Sequence, residues 1–316
     1  MKTRQPIGSL GPFIRRHLKL HRSLGYLMNG AEYTLLQFDR FLAQHYPKVK
    51  TVTRDIVVHY LKTLQHYHSS SLHTSMAHLR KFCRFLFCFN LDTYIPERGL
   101  IAPARRKVTP YIYTDRDMAA LLELAQGLKP SDSLRSHTCA ALVSLLWVTG
   151  LRIREALRLN LQDIDYHQGL LYVRETKFFK SRVVPLSPTA ISGLKSYQRR
   201  RARYHHDQKA SAPLFVNERA KRCTYITVSY TFRHLVRQSG IKTPEGTYPR
   251  LHDIRHAFAT RSLADFYRKG KNASAYLPIL ATYLGHVNID CTSVYLHPSI
   301  ELLTRAGQRF RRYVSH

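Results

Sequence analysis

Four separated segments hold the side chains whose types invite a chemical reading: Arg152 in TGLRIREAL, Lys177 in ETKFFKS, His252 and Arg255 in LHDIRHAF, and His286 with Tyr295 in LGHVNIDCTSVYLH. Guanidinium groups stay charged at physiological pH and present fork-shaped donors that match phosphate oxygens. A phosphodiester attacked by an oxygen passes through five-coordinate phosphorus with extra negative charge on its nonbridging oxygens, and preorganised cations hold that charge. Arg152 and Arg255 suit the task. Two such groups can replace the metal that many nucleases use, and no carboxylate cluster suited to magnesium stands beside the motifs. A free tyrosine such as Tyr295 titrates near 10, so about one part in a thousand is phenolate at pH 7, and attack by any tyrosine needs a base or a strongly cationic pocket. Taken singly, each residue has an ordinary reading. Arg152 and Glu155 make a helical ion pair, His252 and Arg255 share a helix face as many residues three apart do, Lys177 is a solvated turn lysine, and Tyr295 is one of 20 tyrosines.

The charge balance narrows the partner. With 50 Lys plus Arg against 20 Asp plus Glu, the 316-residue chain carries a formal net charge of +30, which points first to nucleic acid and to binding that weakens steeply with salt. The longest apolar run, Cys139 to Val148, is broken by Ser144 and too short to span a bilayer, so no membrane partner is expected. MKTRQPIGSL lacks the apolar core of a signal peptide, and a cytoplasmic, nucleoid-associated protein with reduced cysteines is expected. Cys83, Cys88, Cys139, Cys223 and Cys291 form no C-x-x-C pair; Cys83 and Cys88 lie in an aromatic helical run near His73 and His78, where buried thiols are ordinary, and no metal is expected there.

The elements that must position the candidate residues are mostly helical. Residues 1–100 alternate helical periodicity with polar breaks, predicting helices over Pro12–Met28, Glu32–Tyr46, Thr53–Tyr67 and Leu72–Phe89, the third N-capped by Thr53. Residues 101–110, IAPARRKVTP, combine two prolines with three consecutive basic residues and read as a linker, either a solvated hinge or a strap passing close to phosphates. Residues 111–316 then form a second domain. Asp115 caps a helix through Leu124, Ser136–Val148 is a buried helix ending at the Thr149-Gly150 turn, and Arg152–Leu159 is a further helix. Leu170–Arg174 and Arg182–Leu186 read as an antiparallel hairpin whose turn carries Lys177, with Phe178 and Phe179 packed in the protein or stacked on a ligand. Helices follow over Ala190–Arg203, Tyr225–Gln238, Asp253–Phe266, Leu277–Leu284 and Ile300–Phe310. The fold class is mainly α with one small antiparallel β-sheet.

In this order the motifs resemble the tyrosine recombinase family, the lambda-type integrases and Xer-like recombinases, from Thr114 to Tyr295. In that family an arginine follows a T-G-L turn, a lysine lies in a β-hairpin, H-x-x-R opens a helix, and L-G-H precedes the nucleophilic tyrosine by nine residues. Here these are Arg152, Lys177, His252, Arg255, His286 and Tyr295, with His286 and Tyr295 nine apart. Glu155 falls where the family often has a supporting acidic residue. The resemblance implies an integrase-type catalytic domain behind an N-terminal helical core-binding domain. It implies Tyr295 as nucleophile, His252 as proton partner, His286 as donor to a phosphate oxygen, and Lys177 as acid for the 5′ leaving oxygen. It further implies a 3′-phosphotyrosyl intermediate, no cofactor, double-stranded DNA as partner, and a homo-tetramer on DNA with accessory DNA-bending or partner recombinase proteins. The stripe Leu302, Leu303, Ala306 and Phe310 wants a groove, on its own domain or on an adjacent protomer. His256 reads as a supporting or core histidine, and His297 as a surface residue. Residues 267–276 make the stretch between Arg255 and His286 longer than in compact Xer-like members. Integration, excision or transposition of a mobile element is the expected use; type IB topoisomerase-like relaxation and a catalytically silent DNA-binding regulator are the alternatives.

Overall fold

The computed structural model describes residues 5–90, 92–102, 109–131, 133–174, 181–204, 206–269 and 273–285. Lys177, Phe178, Phe179, His286, Tyr295, His297 and the stripe from Leu302 to Phe310 lie outside the described residues. The chain divides into two compact units, Met1–Val108 and Thr109–His316.

The first unit packs α1 (Gly11–Ser23), α2 (Asn29–His45), α3 (Arg54–Thr63) and α4 (Ser69–Phe87) around one core. Apolar residues recur at helical spacing, as Leu10, Ile14 and Leu18 do before and along α1, so each helix turns one stripe inward. Thr53 caps α3 as the sequence predicts, accepting from the Ile56 amide at 3.4 Å. Helix α1 stops at Ser23, short of the predicted Met28. The apolar period runs on through Leu24 and Leu27, but Gly25 and Met28 take left-handed backbone angles and Leu24 and Leu27 face outward. Buried Asp39 of α2 accepts from the amides of Ile7 at 2.6 Å and Gly8 at 3.0 Å, fastening the segment that leads into α1.

His17 of α1 sits in this core at 1% exposure, edge-on to Phe82 and tilted against Phe85. Desolvation, aided by the charges of His21 and Lys81, lowers its pKa from the ordinary 6.5 to about 4. The folded state therefore binds fewer protons than the unfolded chain below pH 6.5. Its stability is full above that pH, declines as pH falls, and levels out near pH 4, for a loss on the order of 3 kcal/mol. A His17→Phe variant should lose less stability between pH 7 and pH 4.5 in denaturant titrations; identical pH profiles for the two proteins would refute this.

The second unit is built on α6 (Leu134–Thr149), which buries Leu142, Val143, Leu145 and Leu146. Around it lie α5 (Asp115–Gln126), the short α7 (Ile153–Arg158), α8 (Pro188–Arg203), α9 (Tyr225–Ser239), α10 (Asp253–Arg268) and α11 (Ala273–Leu284). Thr114, rather than the predicted Asp115, caps α5: its hydroxyl and the Asp117 carboxylate exchange bonds with each other's backbone amides, leaving Asp115 inside the first turn. The predicted hairpin is present as β2 (Leu170–Val173) and β3 (Arg182–Pro185), paired antiparallel with Leu171 opposite Val184 and Val173 opposite Arg182. A third strand, β1 (Ile164–Asp165), adds to β2; two residues are too few to show alternation. Buried Leu171, Val173 and Val184 hold the sheet to the core, each such side chain contributing roughly 1.5–3 kcal/mol. Much of the stretch 267–276 is helical, because α10 continues to Arg268 and α11 starts at Ala273, earlier than the predicted Leu277. Among the described residues no helix is long and apolar enough to cross a membrane.

Candidate active site

The T-G-L turn is made by Gly150. Helix α6 ends there in the left-handed conformation, φ +61°, which glycine adopts without a Cβ penalty. The chain reverses and Arg152 becomes the N-cap of α7, with its amide donating to Glu155 Oε2 at 3.0 Å. Three residues separate Arg152 from Glu155, so the helical turn also brings the guanidinium back onto the carboxylate: Nη1 reaches Oε1 at 2.8 Å.

The second arginine arrives from α10. Arg250 donates to Asp253 through its amide and its guanidinium, and this latch, closed on a buried carboxylate, sets the turn that begins the helix. His252 occupies the N-cap, and Arg255, one helical turn on, points into the protein at 2% exposure. Arg255 Nη1 donates to the Gly150 carbonyl at 2.8 Å and Nη2 to the Leu284 carbonyl at 2.7 Å.

At the C-terminal end of α11 the two arginines meet. Arg152 Nη2 donates to the Gly285 carbonyl at 3.0 Å, and its Nη1 lies 3.4 Å from the same Leu284 carbonyl that Arg255 engages. A helix C-terminus offers unsatisfied carbonyls and partial negative charge, so it is a natural resting partner for two cations. Gly285, which follows α11, takes the left-handed conformation with φ +67°.

His252 is exposed and sets its ring edge-on against His256, centroids 5.1 Å apart. Desolvation, then the cations of Arg255, Arg250 and Arg152, with Asp253 opposing, hold its pKa below the ordinary histidine value. The imidazole is therefore neutral at pH 7 and able to accept a proton. His256 is deeper and is pushed down to about 4 by burial and by His252, in keeping with a supporting place behind the surface histidine.

Arg152 and His252 border a concavity of about 740 Å³ that also takes in Arg154, Tyr225, Arg233, Arg237, Tyr248 and Arg250, with no acidic residue among the described residues of its lining. Arg154 lies over the Tyr225 ring at 5.5 Å and Arg237 over Tyr248 at 5.7 Å. Aromatic faces hold these guanidiniums without neutralising them, which leaves the groove strongly positive. Of the sequence candidates, Arg152, His252 and Arg255 thus lie together; Lys177, His286 and Tyr295 fall outside the described residues.

Residues 114–301 match the phage integrase family. The chain belongs to that family of tyrosine recombinases. As a family member it is an enzyme that breaks and rejoins DNA strands. The recombinase is 33% identical over 303 residues to a putative integrase/recombinase, y4rB, of Sinorhizobium fredii, covering 95% of this chain and 96% of the relative. It is 29% identical over 265 residues to tyrosine recombinase XerD of Pseudomonas putida, covering 83% of each. Its fold is similar to that of a Tn1549 transposon integrase solved in complex with a circular intermediate DNA, with a TM-score of 0.66 at 17% identity over 94% of this chain and 99% of the other. It is also similar to the XerH recombinase solved on its difH substrate, with a TM-score of 0.64 at 19% identity over 90% and 80% of the two chains.

One residue of this recombinase's pocket escaped the sequence reading. Arg182 opens β3 and donates to Glu155 from both terminal nitrogens, Nη2 to Oε2 at 2.7 Å and Nη1 to Oε1 at 3.2 Å. Strand alternation carries the signal, because Arg182 shares a face with fully buried Val184 and a charge on the core side of a strand needs a buried counter-charge.

Proposed function

We propose that this recombinase acts on double-stranded DNA at specific sites through a covalent 3′-phosphotyrosyl intermediate on Tyr295, in the service of a mobile element. The observation that carries the reading is the convergence of Arg152 and Arg255 on the Leu284 carbonyl, with neutral His252 beside them at the edge of a basic groove. A scissile phosphate entering the groove takes the place of the carbonyls as acceptor. The Tyr295 oxygen bonds to phosphorus and gives its proton to His252, the bond to the 5′ oxygen breaks, and Lys177 protonates that leaving oxygen. His286 directly follows Gly285, whose carbonyl already accepts from Arg152, and donates to a nonbridging oxygen. Bond energy is conserved in the phosphotyrosyl link, so rejoining runs the same steps in reverse without a cofactor. The unit Met1–Val108 serves as a core-binding domain on the duplex, and four protomers assemble through the C-terminal stripe, helped by accessory DNA-bending or partner recombinase proteins. The Tn1549 integrase, a transposon enzyme of similar fold, supports the mobile-element setting by analogy.

The test uses nicked duplexes made from the DNA flanking the gene. Wild-type protein should give a denaturant-resistant protein–DNA adduct, and Tyr295→Phe should give none while binding equally. Specific binding by both proteins with no adduct from either would make this a silent DNA-binding member of the family; adducts from both would move the nucleophile elsewhere. Strand exchange between two marked duplexes, set against relaxation of a supercoiled circle, then separates recombination from topoisomerase-like activity.

A further inference from the structure

We propose that Arg182 is a positioning residue of the phosphate pocket, acting through Glu155 to leave the charge of Arg152 available to DNA; this rests on the pocket's reading as the cleavage site. Four donors fill the two Glu155 oxygens: Oε1 takes Arg152 Nη1 and Arg182 Nη1, and Oε2 takes the Arg152 amide and Arg182 Nη2. Burial works against the Glu155 charge, yet donation first from Arg182 and then from Arg152 outweighs it and holds the carboxyl below the usual carboxylate range. The cluster is thus two guanidiniums on one carboxylate, with a surplus of one positive charge.

Which arginine holds the surplus follows from exposure. The Arg182 side chain is 11% exposed, whereas that of Arg152 is 31% exposed and borders the groove. Arg182 therefore serves the carboxylate, and Arg152 keeps its Nη2 edge for an incoming acceptor. Without Arg182, the buried Glu155 would have Arg152 as its remaining ionic partner in the cluster. The guanidinium would then be drawn into a closed neutral pair, because a desolvated carboxylate takes the nearest cation.

The placement of Arg182 also joins three parts of the site. It lies on β3, five residues after Lys177, and reaches α7 through Glu155. A Cβ on Gly285 would stand 2.9 Å from Arg182 Nη1, so the lack of a side chain there lets the end of α11 close onto the cluster. Strand β3 is thereby joined through Arg182 both to α7 and to the end of α11 at Gly285.

Single-turnover cleavage of two substrates tests the proposal, one with an ordinary scissile phosphodiester and one with a methylphosphonate, which lacks the charged nonbridging oxygen that Arg152 serves. Arg182→Ala should slow cleavage of the phosphodiester by roughly 10- to 100-fold, as loss of a supporting partner commonly does. On the methylphosphonate the same variant should fall within about threefold of wild type. Adding Glu155→Gln to Arg182→Ala removes the uncompensated carboxylate and should recover much of the phosphodiester rate, which also keeps the test valid if the single variant folds poorly. An equal deficit on both substrates with no recovery in the double variant would overturn the proposal, as would an unchanged rate in Arg182→Ala. Wild-type protein that binds but cleaves neither substrate would instead overturn the reading of the pocket as the cleavage site, and this inference with it.

Discussion

Arg255→Lys is expected to slow DNA cleavage by about 10²- to 10³-fold under single-turnover conditions while changing duplex affinity only a few-fold, even though the substitution keeps the charge. The guanidinium is buried and spends one nitrogen on the Gly150 carbonyl and another on the Leu284 carbonyl. That bracing holds its plane fixed before any DNA arrives, and preorganisation is what makes a donor effective when charge develops on phosphorus. A lysine offers a single ammonium on a flexible stem. It can replace one of these bonds, but it cannot be braced by one carbonyl and aim at a phosphate oxygen with planar geometry. The groove holds many other cations, among them Arg154, Arg233 and Arg237, so overall phosphate affinity is spread over residues that the substitution leaves alone. Paired measurements decide the matter: adduct formation in a rapid-quench time course, and Kd by fluorescence anisotropy at fixed salt. A lysine variant that cleaves within about threefold of wild type would mean that charge alone suffices and that the carbonyl bracing contributes nothing to the reaction.

Arg152, His252 and Arg255 are legible in the sequence through the order of the motifs that carries the family resemblance; the 3.6-residue period gives only the local part, setting Arg152 beside Glu155 and His252 beside Arg255. Their meeting on Leu284 depends on α6, α10 and α11 packing together, which periodicity does not encode, and only the order of the motifs along the chain pointed to it. Arg182 is less legible, because an arginine at the start of a strand is ordinarily solvent-facing and only the packing decides which face of that strand is buried. Boundaries failed where backbone conformation overrode pattern. Leu24, Leu27 and Met28 keep the apolar period of α1, yet left-handed angles at Gly25 and Met28 end the helix and leave the two leucines outside the core. Strand β1 is too short to carry a pattern at all. The small sheet is legible from the β-rich runs Leu170–Arg174 and Arg182–Leu186, because pairing partners so near in sequence leave one simple arrangement, a hairpin.

Gly150→Ala is expected to destabilise the second unit by roughly 2–4 kcal/mol, combining a left-handed backbone penalty of about 1 kcal/mol with overpacking of about 1–3 kcal/mol. The steric part comes from α10: a Cβ on Gly150 would lie 2.3 Å from Phe258 Cδ1 and 2.8 Å from its Cγ. Phe258 has little freedom to retreat, since it stacks on Tyr283 of α11 at 5.6 Å with rings 17° from parallel. Pushing it moves the end of α11, and with it the Leu284 carbonyl on which the arginines converge; the Gly150 carbonyl is itself an Arg255 partner. Gly240 supplies the control. It also ends a helix in the left-handed region, φ +72°, but a Cβ there would meet nothing within 4 Å. Gly240→Ala should therefore carry the backbone penalty alone. For a unit of this size about 1 kcal/mol lowers Tm by roughly 2–4 °C, so the two variants should separate clearly in calorimetry. Cleavage measured well below the lower Tm adds a second axis: it should fall in Gly150→Ala and hold in Gly240→Ala. Equal melting temperatures would show that Phe258 yields freely. A Gly150→Ala protein that melts low but cleaves at the wild-type rate would separate the packing of the α6–α10–α11 junction from the alignment of the arginines, two properties that the structure otherwise ties to the same few atoms.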